Sequence, residues 1–193
     1  MGINDNERDA SLWNQFKNGD DESFSAVFTN YYPALFNYGC RITADQSLIE
    51  DSIQELFLDL WRTKGKADIV SLKAYIFKAF KFKLVRLVTK NNKEKSFTKI
   101  NENAFELSHE NFIINTELDA AVKHKIQAAI QELSARQKEI IYLKFYLNLN
   151  YEEVSCIMGI NYQASRNLTC QAIKVLKKIV SFHLIFVSFT HTI

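Results

Sequence analysis

The chain has 193 residues, 47% hydrophobic and 24% charged, with only five glycines and one proline. So few turn formers argue against an all-β fold, and at roughly 100 to 200 residues per domain the length admits one domain or two small ones, which excludes a large multidomain enzyme. The formal charge of +2 conceals two opposed blocks: residues 1–61 carry eleven acidic side chains against three basic ones, a net −8, whereas 71–99 carry nine basic side chains against Glu94 alone, a net +8. An acidic surface followed by a basic one points to two partners.

In chain order, Phe24, Val27, Phe28, Tyr31 and Tyr32 predict a helix, with Pro33 marking a kink or a reset within it. From Ser47 to Trp61 the apolar residues Leu48, Ile49, Ile53, Leu56, Phe57, Leu60 and Trp61 recur at steps of three and four, the signature of an amphipathic helix. Its opposite face gathers Glu50, Asp51, Gln54, Glu55 and Asp59. After the turn-like TKGKAD, the run SLKAYIFKAFKFKLVRLV is apolar nearly all round and studded with lysine. KFKLV alone alternates like a strand, but the length of the run and its flanks favour a helix. Residues 91–115 are polar and Asn-rich without a clear period, as expected of a linker, and fully extended could span roughly 85 Å.

A second helical block opens at Thr116 with a capping box, followed by Leu118, Val122, Ile126, Ala129, Ile130 and Leu133 on one face. Ser134 and Gln137 form another box, starting a helix that carries Ile140, Ile141, Leu143, Phe145 and Leu147. Asn150 and Glu153 form a third, starting YEEVSCIM, which ends at Gly159, where a left-handed turn meets no Cβ. Asn161 caps a helix expected to run to about Val180, and the strongly apolar SFHLIFVSFTHTI follows. The expected fold is therefore all-α: two small helical domains over 10–90 and 116–180, joined by the linker 91–115 and ending in an apolar tail, 181–193. That tail needs burial, whether by extending the core, packing between the two modules or binding a partner, and is expected to dock against the chain's own helices.

YEEVSCIM, Gly159-Ile160 and NYQASRNLTCQAIKVLKK have the shape of a helix-turn-helix. At 100° per residue, Ser165, Leu168, Thr169, Ala172, Ile173 and Leu176 fall on one side of the second helix. Gln163, Arg166, Asn167, Cys170, Gln171 and Lys174 fall on the other. Arginine can pair with guanine and Asn or Gln with adenine, while Lys174, Lys177 and Lys178 can contact phosphates. In the basic block, Tyr75, Phe77, Phe80 and Phe82 alternate with Lys73, Lys78, Lys81, Lys83 and Arg86, the two residue types needed to hold unstacked bases and track phosphates. Tyr75 is the ring expected to contact a base, and Phe77 is assigned to packing.

On these residues the chain resembles an RNA polymerase sigma factor of the extracytoplasmic-function (ECF) group of the sigma-70 family. LSARQKEIIYLKFYLNLNYEEVSCIMGINYQASRNLTCQAIKVLKK resembles sigma region 4, IEDSIQELFLDLW resembles region 2.2, and SLKAYIFKAFKFKLVRLV occupies the place of regions 2.3 and 2.4. The resemblance implies core RNA polymerase as partner, through its β′ clamp helices and β subunit, with Asp51, Gln54 and Glu55 on the polymerase-binding face. It also implies promoter DNA, melted and read at minus-10 by Lys73, Tyr75, Lys78, Lys81, Phe82 and Arg86. Gln163, Arg166, Asn167, Gln171 and Lys174 would read minus-35. An anti-sigma factor, membrane-anchored, is implied as a regulator. Two departures stand out. Ala79-Phe80-Lys81-Phe82 replaces a usual Ala-Arg-Asn triplet, and in the recognition helix Ser165 stands at a usually apolar position and Gln171 at a usual arginine, so weaker docking and fewer phosphate contacts are expected.

No enzymatic activity, cofactor, metal or small-molecule substrate is expected, since the chain contains no Walker loop, G-x-S-x-G or metal-ligand spacing. His109, His124, His183 and His191 are far apart, and Cys40, Cys156 and Cys170 make an odd number without C-x-x-C. With no apolar run of ~18 to 20 residues and no signal-like start, the chain is expected in the cytoplasm. Two other functions fit parts of the pattern. A homodimeric operator-binding regulator leaves the first module unexplained, and a helical adaptor would use the basic block on acidic proteins or membranes. Core-polymerase binding separates all three.

Overall fold

The computed structural model describes the backbone of residues 5–63, 69–95, 105–107 and 127–190, and the side chains of 7–63, 69–91, 105–107 and 127–177. The chain forms two compact units, Met1–Ala104 and Phe105–Ile193. The described elements are helical throughout, including the KFKLV segment that alone could pass for a strand.

The first unit contains α1 (Asp5–Lys17), α2 (Asp21–Gly39), α3 (Gln46–Thr63) and α4 (Leu72–Lys95). Helix α1, absent from the predicted elements, buries Trp13 and Phe16. Helix α2 runs through Pro33 without ending. A proline inside a helix sacrifices a hydrogen bond and costs ~3 kcal/mol or more, but Tyr31, Leu35 and Tyr38 on the same helix are buried, and tertiary packing outweighs local propensity. Helix α3 is amphipathic as expected, with Ile49, Ile53, Leu56, Phe57 and Leu60 buried. At its start Asp45 Oδ1 accepts from the Leu48 N–H at 3.2 Å. Helix α4 inserts Leu72, Ile76, Phe77, Phe80 and Leu84 into the core. Phe77 packs edge-on against Tyr38 at 5.5 Å, in line with its assignment to the core. Helix α4 continues to Lys95, so its last turn occupies the beginning of the stretch read as linker.

Gly39 explains how closely these helices approach. A Cβ there would stand 2.7 Å from Ile49 Cγ2 and 3.1 Å from the Phe80 ring, so only glycine fits without a shift. At the other end of α2 lies an aromatic cluster in which Phe24 meets Phe16 at 4.9 Å, Trp61 at 5.0 Å and Phe57 at 5.9 Å.

The second unit contains the short segment 105–107, helix α5 (127–131), helix α6 (Ala135–Ile141), a π turn (Tyr142–Tyr146), α7 (Tyr151–Met158) and α8 (Tyr162–Thr190). Phe105 and Leu107, read from sequence as linker, are buried in this unit. Phe105 packs edge-on against Tyr142 at 5.7 Å, and Glu106 pairs with Lys138 at 3.0 Å. The capping boxes at Ser134–Gln137 and Asn150–Glu153 both form. In the second, Asn150 Oδ1 accepts from Glu153 N and Glu153 Oε2 from Asn150 N, each at 2.9 Å. Gly159 closes α7 at φ 63°, in the left-handed region. The box expected at Thr116, with Leu118, Val122 and Ile126, lies outside the described residues, as do most of the TKGKAD turn and all four histidine side chains.

Two expectations about this unit change. The helix beginning after Ser134 widens into the π turn, where Leu147 N donates to the Tyr142 carbonyl at 3.1 Å. Phe145, within this turn, is 56% exposed. Helix α8 does not end near Val180 but continues to Thr190, so residues 181–190 of the apolar tail extend α8. The expected docking of that tail concerns side chains beyond those described. None of the described helices is long and apolar enough to cross a membrane.

Candidate nucleic-acid and protein interfaces

In the second unit the α7–α8 junction sets the geometry. Gly159 turns the chain, Asn161 Oδ1 accepts from the Ala164 N–H at 2.7 Å, and α8 begins at Tyr162. Ser165, Thr169 and Ala172 are fully buried, whereas Gln163, Arg166, Asn167, Cys170, Gln171 and Lys174 are exposed, the division that periodicity predicted. Gln163 Nε2 donates to Asn167 Oδ1 at 3.1 Å, linking two of the outward amides one turn apart. The polar residue at the usual apolar position is not orphaned. Ser155 Oγ on α7 donates to Ser165 Oγ at 3.1 Å, and Ser165 Oγ donates to the Tyr162 carbonyl at 2.7 Å. A directional hydroxyl contact thus stands in for the apolar one between the two helices.

In the first unit the basic block occupies α4. Tyr75, Lys78, Phe82 and Arg86 recur at steps of three and four, which places them in one row. Lys78, Phe82 and Arg86 are exposed, and Tyr75 is half-buried. Phe82, 69% exposed, is an aromatic surface with a cation one turn to either side. Lys73 and Lys81 are half-buried, and Phe80 is core. Lys83, grouped by sequence with the phosphate-tracking cations, instead faces α3: its Nζ lies 2.6 Å from Asp59 Oδ2 and 3.8 Å from Glu55 Oε2. Sequence reasoning could not see this pairing, because the partners are 24 residues apart.

The acidic face of α3 carries Asp51, Gln54 and Glu55, all exposed. Next to it the structure reveals an open groove of about 520 Å³ lined by Phe24, Phe28, Gln54, Phe57, Leu58 and Trp61. Leu58, 52% exposed, was missed. Its signal was present in the sequence: an apolar residue four positions after Gln54, away from the buried arc. Among the described residues no cluster of His, Cys, Asp and Glu gathers that could hold a metal ion.

Comparison with known proteins places both surfaces in context. The family model for sigma-70 region 2 matches residues 27–94 and that for sigma-70 region 4 matches 123–176. The chain is 22% identical over 151 residues to the ECF RNA polymerase sigma factor SigM of Bacillus subtilis, covering 78% of this chain and 91% of SigM. Its fold is similar to that of CnrH, solved in complex with the cytosolic domain of CnrY, at TM-score 0.59 and 15% identity over 90% of this chain and 97% of that one. It is also similar to RpoE of Bartonella quintana, solved with the anti-sigma factor NepR, at TM-score 0.57 and 20% identity over 83% and 98%.

Proposed function

This chain belongs to the extracytoplasmic-function group of the sigma-70 family, and we propose from that premise how its surfaces divide the work of a sigma factor. It binds core RNA polymerase and directs promoter recognition, DNA melting and transcription initiation. Sigma factors are non-enzymatic initiation factors, and we read this chain as acting in the cytoplasm without catalysis, cofactor or small-molecule substrate.

Asp51, Gln54 and Glu55 engage the β′ clamp helices, with Leu58 and the adjoining groove supplying the apolar part of that contact. The row on α4 engages the minus-10 region: Lys78 and Arg86 contact phosphates while Phe82 and Tyr75 offer ring faces to unstacked bases. Lys73 and Lys81 complete the basic surface. Gln163, Arg166, Asn167, Gln171 and Lys174 read minus-35 from the major groove. The single observation that supports this division is the sorting of α8, which buries Ser165, Thr169 and Ala172 while Gln163, Arg166, Asn167, Gln171 and Lys174 all face out. Residues 10–90 and 116–180 act as the two functional modules. The complex of RpoE with the anti-sigma factor NepR supports control of this chain by an anti-sigma factor, which we take to be membrane-anchored.

Co-purification with core RNA polymerase and run-off transcription test the whole reading; a core enzyme that neither binds the chain nor initiates with it refutes the assignment. Asp51→Lys should weaken polymerase binding while leaving the fold intact, because it reverses an exposed charge. Arg166→Ala should lose about 1 to 3 kcal/mol of discrimination at one base pair. Equal loss on all sequences would make Arg166 a phosphate contact instead.

A further inference from the structure

We propose that Tyr162 is a positioning residue for promoter reading, its ring holding the Arg166 guanidinium ready on the outer face of α8. This rests on the assignment of α8 as the minus-35 helix. Tyr162 opens α8 directly after the Asn161 cap and is 43% exposed, large and aromatic where a helix start needs neither property. Arg166 lies four residues on, so the two side chains share one face. The guanidinium Cζ stands 5.9 Å from the Tyr162 ring centroid, within the ~6 Å reach of a cation–π contact.

The ring is itself held. Tyr151, the first residue of α7, meets Tyr162 edge-on at 5.9 Å and 77°. The face of Tyr151 is covered by the Lys144 ammonium at 4.9 Å, and Lys144 Nζ donates to the Leu149 carbonyl at 2.8 Å. Lys144, Tyr151, Tyr162 and Arg166 therefore form a continuous row from the π turn, across the first turns of both helices of the helix-turn-helix, to the arginine. A long exposed side chain loses rotamer freedom when it docks on a base edge, and a neighbour that already restrains it reduces that loss without touching DNA. The row thus links the local fold of the junction to the sharpness of reading at one base pair.

The test uses holoenzyme assembled from core RNA polymerase and the full chain, transcribing a promoter library randomised through the minus-35 element. Tyr162→Leu should reduce discrimination about two- to fivefold, confined to the base pair that Arg166→Ala relaxes, and should add nothing in the Arg166→Ala background. Tyr162→Phe should preserve the pattern, because the ring face remains. The inference is overturned if Tyr162→Leu acts equally on all sequences, if Phe behaves like Leu, or if the Leu effect persists without Arg166. A clear Arg166→Ala effect beside a silent Tyr162→Leu overturns the inference alone. If Arg166→Ala leaves every base preference unchanged, the assignment of Arg166 as a base reader falls, and the inference with it.

Discussion

Helices α4 and α8 both turn cations and polar or aromatic groups outward, but they are fixed in place by different means. Beneath α4 lie Ile76, Phe77, Phe80 and Leu84, fully buried, against Tyr38 and the close approach at Gly39. Beneath α8 lie Ser165, Thr169 and Ala172, small residues, with the Ser155–Ser165 hydroxyl contact joining α8 to α7. The first surface is positioned by volume and the second by direction. Errors of side-chain size should therefore damage the first unit most, and errors of hydrogen bonding the second.

The largest expected effect removes volume. Phe80→Ala should destabilise the first unit by about 3 to 5 kcal/mol, as is usual for deleting a buried aromatic side chain. Hydrogen exchange on the full chain should show lost protection in α2, α3 and α4 while α7 and α8 keep theirs. Equal loss in both units would break the comparison. Next comes the opposite error. Gly39→Ala adds one methyl to a helix and by propensity alone should stabilise by up to ~1 kcal/mol. The 2.7 Å approach to Ile49 reverses the sign, and overpacking predicts a loss of about 1 to 3 kcal/mol by chemical denaturation. A more stable variant would mean that Ile49 yields freely and that volume is not limiting there.

In the second unit the matching test is Ser165→Ala. It leaves Ser155 Oγ with the Tyr151 carbonyl at 2.6 Å, so the expected loss is only about 1 kcal/mol. The Ser155→Ala/Ser165→Ala pair should lose less than the sum of the two single changes, because the second alanine removes a group that has already lost its partner. A strictly additive pair would mean that the hydroxyl contact does not hold α8.

The same division explains what could be read from sequence. Capping boxes, the left-handed Gly159 and the inner and outer faces of α8 depend on residues within a few positions of each other, and both described boxes, the turn and the face assignment were legible. Amphipathic α3 was legible for the same reason. The missed features join residues distant in sequence. Lys83 carries no mark that distinguishes it from Lys78 until α3 is placed beside it. Phe105 and Leu107 sit in a polar stretch with no period, and the Phe105–Tyr142 contact and the Glu106–Lys138 pair tie that stretch to the second unit. Helix α1 buries Trp13 and Phe16 on too few apolar positions for its acidic sequence to announce it. The π turn is a different failure: a local change of pitch over Tyr142–Tyr146 is invisible to a fixed 100° spacing.

The smallest expected effect separates the units by acid. The first unit also uses a cap: Asp20 accepts from the backbone N–H groups of Glu22 and Ser23, each at 3.3 Å, and from the Ser23 hydroxyl. In the second unit the corresponding N-cap side chains, Ser134, Asn150 and Asn161, do not titrate in this range. The Ser23 hydroxyl foremost, with the backbone donors, lowers the Asp20 pKa below its usual 3.8. A lowered folded-state pKa means stabilisation that is complete above the ordinary aspartate value and lost as the pH falls through the lowered one. Amide resonances of Glu22 and Ser23 should therefore report a titration below 3.8 and fraying of the α2 start in acid, while the start of α8 stays protected. Asp20→Asn keeps an acceptor oxygen and removes the charge, so it should flatten that response. A titration at or above the ordinary value, or an unchanged response in the Asn variant, would mean that the charge of Asp20 contributes nothing to the cap and that the two units begin their helices on equal terms.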